Sequence, residues 1–559
     1  MKKLIITITT FLLFTFAQGV FATASIANDS KIDSQNIQSL EQINTALLSK
    51  KSSIRKDAIE WLAQSNDPEQ AKSILRPWLA GDLYSRKTDG VLFVSTDFAK
   101  GKQAQTLFPN DVTDPSNSVT TQGSVVIENK RHFSKVRTNN SLRSLIRDVL
   151  DRMDISASDP KVRLTATNNL LGNKSDKVIA KMQTQLAVET DKQVRHALEL
   201  GLAINQVLTS TNAAEQIDAI EIIEQSKQPQ VYSTLTQVIN SDAEAKVIKA
   251  AQLGLNQYKQ SQTINGGIET LFFGLSLGSV LVLAGIGLAI TFGVMGVINM
   301  AHGELIMIGA YTTYVIQQLM PNNIGAALLL SIPAAFIVSG LVGILIERTV
   351  IRRLYGRPLE TLLATFGISL ILQQAVRSIF SPLNRSVSTP DWMSGALSIN
   401  PMLSLTYNRL YIIIFCFMVF LALVAVLKKT PLGLQVRAVS QNRAMARAMG
   451  VRSERVDAMT FGLGSGIAGV AGVALSQLTN VGPNMGQNYI IDSFMVVVFG
   501  GVGNLWGTLV AGLSLGLFNK ILEPWAGAVL AKILVLVFII LFIQKRPKGL
   551  FPQRGRAAE

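Results

Sequence analysis

Cysteine is almost absent from this sequence. Cys416 is the single one in 559 residues, which excludes an internal disulfide. Histidine is nearly as scarce, and His132 and His196 have no cysteine or carboxylate at metal-like spacing, which leaves them solvated or capping roles. No metal site, cofactor or catalytic constellation is expected, and the chain does not read as an enzyme. The phosphate loop G-x-x-x-x-G-K-[ST] is missing, so any ATP hydrolysis belongs to a partner. Acid is the minority charge: 37 Asp and Glu stand against 52 Lys and Arg, a formal balance of +15. Nucleic acid is the first partner such a balance suggests. The basic residues of the second half, however, sit in loops flanking apolar runs, where membrane topology explains them better than phosphate binding.

The hydrophobic share of 48% is unevenly spread. Up to about Thr263 the chain is polar; beyond Thr270 it is mostly apolar runs, which predicts a soluble domain followed by a membrane domain. Residues 1–24 have the form of a secretory signal: Lys2 and Lys3, an apolar core from Leu4 to Phe16, then Ala22-Thr23-Ala24. That core is short for a span, which favours cleavage after Ala24 over an uncleaved anchor. Residues 25–262 are then an exported, mainly helical domain. Ser53–Gln64, helices opened by Asp159-Pro160, Asp191 and Ser241-Asp242, and the pair Ala213–Ile223 and Val231–Ile239 carry apolar residues at helical spacing. Short helices recurring at about 30 residues, with Arg163, Arg195 and Lys246 after their acidic starts, fit a HEAT-type stack or an irregular helical domain. Between Tyr84 and Val136, Val91–Val94 and Ser124–Ile127 predict a small β insertion.

In the membrane domain, 263–559, apolar runs lie at 270–293, 303–318, 325–346, 360–380, 410–427, 457–478 and 526–543, with a Gly-interrupted region at 490–523. Arg348, Arg352, Arg353 and Arg357 follow the third run, and Lys545, Arg546, Lys548, Arg554 and Arg556 follow the last. Placing these loops inside requires two elements within 490–523, broken at Gly500-Gly501-Val502-Gly503-Asn504. The fold class is an all-α polytopic membrane domain of about nine segments, some short or re-entrant, behind the exported domain. The N-terminal domain is expected in the periplasm and the C-terminus in the cytoplasm.

Three places carry candidate function. Asn299, His302 and Glu304 open the second run; a carboxylate at membrane depth is a functional candidate by default, although the three could equally cap a helix at the cytoplasmic interface. Gln373 and Gln374 form a polar pair in the fourth run, able to donate and to accept. Gly500, Gly501 and Gly503 read either as a broken helix lining a pathway or as small-residue packing. The loop 428–457 is a further feature. It holds seven basic residues against Glu454 and Asp457, and Gln435–Met449 reads as one short helix stopped by Gly450.

The arrangement around Ala444, Ala446 and Gly450, with Arg443 beside it, resembles the coupling helix by which ABC importer permeases dock on their ATPases. Together with INMAHGELIMIGAY, FGGVGNLWGTLVAG and RPKGLF, it resembles the permease subunits of branched-chain amino acid ABC importers over about 263–551. A signal and a long exported domain depart from that pattern and resemble the extended urea ABC transporter permease subunit. The resemblance implies a second permease, two cytoplasmic ATPases, a periplasmic solute-binding protein and an inner-membrane location. Urea, small and neutral, suits Asn and Gln side chains, and the spans show Glu304 but no clearly mid-membrane cation, since Lys532 lies near an outer end. The alternatives are a branched-chain amino acid importer, a channel or secondary transporter, which would leave the coupling helix idle, and an anchored sensor, which would not need nine segments.

Overall fold

The computed structural model describes residues 40–551 apart from 50, 66, 89, 97, 100, 101, 108–118, 121–123 and 128. The expected signal lies outside the described residues. The chain divides into two compact units, one ending at Ile223 and one beginning at Glu224.

The first unit opens with α1 (Leu40–Leu48), α2 (Ser52–Ala63) and α3 (Pro68–Ala80). The third is bounded by its own sequence: Asp67 accepts from the amides of Glu69 and Gln70, Pro68 occupies the first turn, and Gly81 ends it at φ 86°. Ile59, Leu62, Leu75 and Trp78 pack with Ile146 and Val149 of α4 (Asn140–Asp154). Between α3 and α4 lies more β structure than the two strand-like pieces announce. Six antiparallel strands, β1 (Leu83–Arg86), β2 (Leu92–Val94), β3 (Gln103–Thr106), β4 (Val119–Thr120), β5 (Ser124–Val126) and β6 (Phe133–Lys135), form a sheet of order β4-β5-β3-β2-β1-β6. Strands as short and polar as Gln103–Thr106 show too little alternation to be read from sequence.

Four helices follow: α5 (Pro160–Asn169), α6 (Asp176–Val188), α7 (Lys192–Thr209) and α8 (Ala213–Glu224). Ala166 and Leu170, Val178 and Met182, and Val194 and Leu198 join α5, α6 and α7 in one cluster. The basic positions after the helix starts have a definite task. Arg163 grips the buried Glu189 with both nitrogens, at 2.7 and 2.8 Å, and Arg195 donates to the Glu189 carbonyl at 2.7 Å. The amides of Thr190 and Asp191 also donate to this carboxylate. Lys246 is exposed and lies outside this network.

The second unit holds α9 (Pro229–Ile239) and α10, which runs unbroken for 51 residues from Ala245 to Met295. A domain boundary at 262 therefore falls inside one helix. Then come α11 (His302–Leu319), α12 (Ile324–Thr349), α13 (Pro358–Phe380), the hairpin β7 (Ala396–Asn400) and β8 (Leu403–Thr406), and α14 (Tyr407–Lys429). The loop helices α15 (Pro431–Gln441) and α16 (Arg443–Ala448) precede α17 (Ser453–Ser476), α18 (Met485–Gly500) and α19 (Leu505–Lys545). Every expected apolar run is helical, and the last two share α19, which bends at Gly527 (φ 77°, ψ 161°). Among the described residues, six helices are long and apolar enough to cross a membrane: α10, α12, α13, α14, α17 and α19. Helix α11, at 18 residues, and α18, at 16, are not among them, so the expected nine segments reduce to six by this measure.

Helix α17 is the axis of this unit. Its glycines meet backbone directly: a Cβ on Gly464 would lie 2.6 Å from the Gly287 carbonyl oxygen of α10, one on Gly472 2.0 Å from that of Ile306 in α11, and one on Gly469 2.5 Å from that of Ala335 in α12. Small residues are what allow helices to approach this closely in lipid.

The Arg163–Glu189 pair gives a test in the first unit. Arg163, ahead of the backbone amides and Gln185, holds the Glu189 carboxyl at about 2, against burial acting the other way. A folded value below the unfolded one means the stabilisation is complete above about pH 4.5 and is lost as pH falls from there towards 2. Arg163→Ala, which leaves the buried carboxylate unpaired, should cost about 3 kcal/mol. Hydrogen exchange across α5–α7 in the purified full-length protein should report it, with Glu189→Gln removing the low-pH transition.

Candidate functional site

The six residues 296–301 between α10 and α11 do not stay at the end of the bundle. Gly296 turns the chain at φ 67°, and the returning segment carries His302 to where its Nε2 meets the Ala284 carbonyl at 2.9 Å. Ala284 lies eleven residues before the end of α10, which at the helical rise is roughly 16 Å into the bundle. That nitrogen faces a carbonyl and so carries the hydrogen. The Met300 amide donates to Thr365 Oγ1 at 3.1 Å, and Asn299 Oδ1 accepts from the Ala301 amide at 3.0 Å. Helix α11 thus begins inside the bundle.

Glu304, in its first turn, is 1% exposed. Its Oε1 accepts from Gln373 Nε2 at 2.7 Å and from Ser369 Oγ at 3.0 Å. Its Oε2, together with Asn299 Nδ2 and His302 Nδ1, has no hydrogen-bond partner among the described residues. The partners on α13 belong to a longer pattern. Thr361, Thr365, Ser369 and Gln373, four residues apart, are all buried on one face. Arg377 continues the series and donates to Asn484 at 2.7 Å. The sequence reading found Gln373 and passed over the three hydroxyls; polar residues at a period of four in an apolar run were the available signal. Gln374 is corrected: it is exposed on the opposite face, because adjacent helical positions diverge by about 100°. The site is closed against α18 by glycine, since a Cβ on Gly486 would meet the Gly303 carbonyl at 2.6 Å and Glu304 Oε2 at 2.8 Å.

The other sites are redrawn as well. Gly500, Gly501 and Gly503 form the tight α18–α19 turn, with Gly501 and Gly503 at φ 102° and 80°, and the C-terminal stretch is bonded to it: the Leu550 amide to the Phe499 carbonyl at 2.9 Å and that of Phe551 to Gly500 at 3.2 Å. Gly500 packs against Gly507 of α19, where a Cβ would meet the carbonyl oxygen at 2.5 Å, and Gly503 borders a cavity with Lys428, Arg437 and Trp506. The loop 428–457 holds two helices rather than one. Asn442 is extended (φ −151°, ψ 101°) and its side chain caps α16 through the Met445 amide. Gly450 then ends α16 at φ 84°, with the Gly450 and Val451 amides donating to Arg447 and Ala446. Arg443 is committed within the chain, to Asp457 at 2.6 Å and over the Tyr355 ring at 4.1 Å, and Ala446 is buried. Ala444 and Gly450 are exposed, as are Met445 and Met449, at 61% and 78%. Asp492, which the sequence reading missed, is buried and pairs with Lys532 at 3.3 Å.

A bundle with six helices long and apolar enough to cross a membrane, a helix that begins inside it and a buried polar stripe has the build of a multi-pass membrane protein. Comparison with known families agrees. Residues 270–543 match the family of branched-chain amino acid transport system permease components. The chain is 31% identical over 294 residues to the high-affinity branched-chain amino acid transport system permease protein LivH of Salmonella typhimurium, covering 51% of this chain and 94% of that protein. It is 29% identical over 292 residues to BraD of Pseudomonas aeruginosa, covering 51% and 95%. A shorter match, 32% over 108 residues, joins it to the ribose import permease protein RbsC of Bacillus subtilis, covering 18% and 34%. The chain belongs to this family of permease components, whose characterised members are transport permeases and not enzymes. No solved structure gives a match.

Gly486→Ala should force α11 and α18 apart at Glu304, at a cost of about 1–3 kcal/mol. Transport should fall while membrane insertion persists. Gly266→Ala, where a Cβ meets nothing within 4 Å, is the control that should stay silent.

Proposed function

We propose that this chain is the permease subunit of an ABC importer carrying urea, or a close small amide, across the bacterial inner membrane. The observation that carries the reading is the buried stripe Thr361–Thr365–Ser369–Gln373 facing Glu304. It offers hydroxyl, amide and carboxyl groups, matched to a small solute with amide donors and a carbonyl acceptor. Glu304 is in no ion pair among the described residues, so the stripe itself offers no pair of opposite charges for a zwitterion. Passage needs no covalent step: Asn299, His302, Glu304 and Gln373 exchange hydrogen bonds with the solute while α11 and α18 separate at Gly303 and Gly486. The exported domain stands in the periplasm after removal of residues 1–24, and the basic loops and C-terminus stand in the cytoplasm. A periplasmic binding protein delivers the solute, a second permease completes the pathway, and two ATPases supply the energy. A second reading, import of branched-chain amino acids, is favoured by the relatives LivH and BraD, which are branched-chain amino acid transport permeases.

Growth on a sole nitrogen source at low concentration separates the two. A deletion strain should fail on urea and grow on leucine; the reverse pattern would replace urea with the branched-chain amino acids. In the urea case Glu304→Gln should change uptake at least severalfold while the complex still assembles.

Docking on the ATPases falls to the exposed face of α16. Met445→Glu with Met449→Glu should release the ATPases on purification and stop uptake without lowering the amount of permease in the membrane. Charge at the buried Ala446 would instead disturb the fold, so persistence of the complex in the double methionine variant would remove α16 from the coupling role.

A further inference from the structure

A second polar cavity, of about 280 Å³, lies away from the basic loops, beside the bend in α19. Its wall includes Arg409 at the start of α14, Asp492 on α18, and Asn519, Lys520, Glu523 and Lys532 on α19. Two of the three cations are neutralised locally, Lys520 by Glu523 and Lys532 by Asp492. Arg409 is in no ion pair among the described residues and lies over the Phe273 ring at 4.5 Å. The cavity therefore keeps one positive charge. Asn519 is 8% exposed and its Oδ1 has no hydrogen-bond partner among the described residues, an acceptor held ready in the cavity wall.

The surroundings are not those of a solute site. Pro524 and the bend at Gly527 set Trp525 outward, 91% exposed, as an aromatic at the membrane–water boundary would be. One turn further, Val529 and Ile533 are exposed beside Lys532, whose own side chain is 56% exposed. A charged cavity that continues into an uncovered apolar helix face is matched to an amphiphile. We propose that it binds the zwitterionic headgroup of a phosphatidylethanolamine in the leaflet opposite the basic loops. The phosphate meets Arg409, the ammonium meets Asn519 Oδ1, and an acyl chain lies along Val529 and Ile533.

The test is native mass spectrometry of the full-length protein, delipidated in detergent and titrated with phosphatidylethanolamine or phosphatidylglycerol. Phosphatidylethanolamine should bind the wild type more tightly, and Arg409→Gln should weaken it about tenfold, the loss of one charge-assisted contact. Asn519→Leu, nearly isosteric, removes the acceptor and should do the same, and Trp525→Ala, at an exposed position that spares the fold, should shorten lipid retention. Equal binding in wild type and all three variants would overturn the proposal. So would displacement of the lipid by inorganic phosphate or free phosphoethanolamine at equal concentration, which would make this a free-phosphate site. Loss of urea or leucine binding in Arg409→Gln with lipid binding intact would make it a solute vestibule. The lipid readouts do not bear on whether the transported solute is urea.

Discussion

The close approach of α17 to its neighbours is the contact on which the membrane unit depends. Lipid chains are as apolar as leucine, so burial gives helices in a bilayer little reason to associate, and contact between backbones has to do it. The glycines of α17 bring it against Gly287, Ile306 and Ala335 on three different helices. Side chains at those positions would overlap main-chain oxygens. Helix α11 can start inside the bundle only because this packing leaves a slot for it, closed on the far side by Gly303 against Gly486.

From that slot the chemistry follows. A chain segment without helical hydrogen bonds at membrane depth is tolerated only where protein covers it. Here Thr365 and the Ala284 carbonyl supply the partners for Met300 and His302. The same enclosure makes Glu304 costly unless it is bonded, and the α13 stripe bonds one oxygen and leaves the other unpartnered. At the basic end, Arg443 and Asp457 tie α16 to the start of α17, while the C-terminal stretch ties down the α18–α19 turn. The Arg443–Asp457 pair thereby joins α16 to the helix that organises the core.

Much of this was legible beforehand, and the failures have physical reasons. The apolar runs, the helix starts at Asp159 and Asp191, and Gly450 as a helix stop are local signals, carried by a few neighbouring residues. The single-helix reading of 435–449 failed because Asn442 was taken as a helical position when its side chain makes it a cap. Gln374 was grouped with Gln373 by adjacency, although helical geometry sends neighbours to different faces. The glycines at 500–503 stayed open between a broken pathway helix and small-residue packing because sequence cannot show that residues 550 and 551 fold back onto them.

By itself the sequence determined the class of the protein. Apolar runs of spanning length mark a membrane protein, and the motifs around 299–304, 428–457 and 500–507 mark its family. These follow from composition and short-range pattern. Only the tertiary structure decided what each polar group does: that Glu304 meets Ser369 and Gln373, that Arg163 and Arg195 share Glu189, and that Asp492 meets Lys532. Each joins residues from separate segments of the chain. Their worth depends on distances of a few ångströms in a medium of low dielectric, which the order of residues along the chain does not contain.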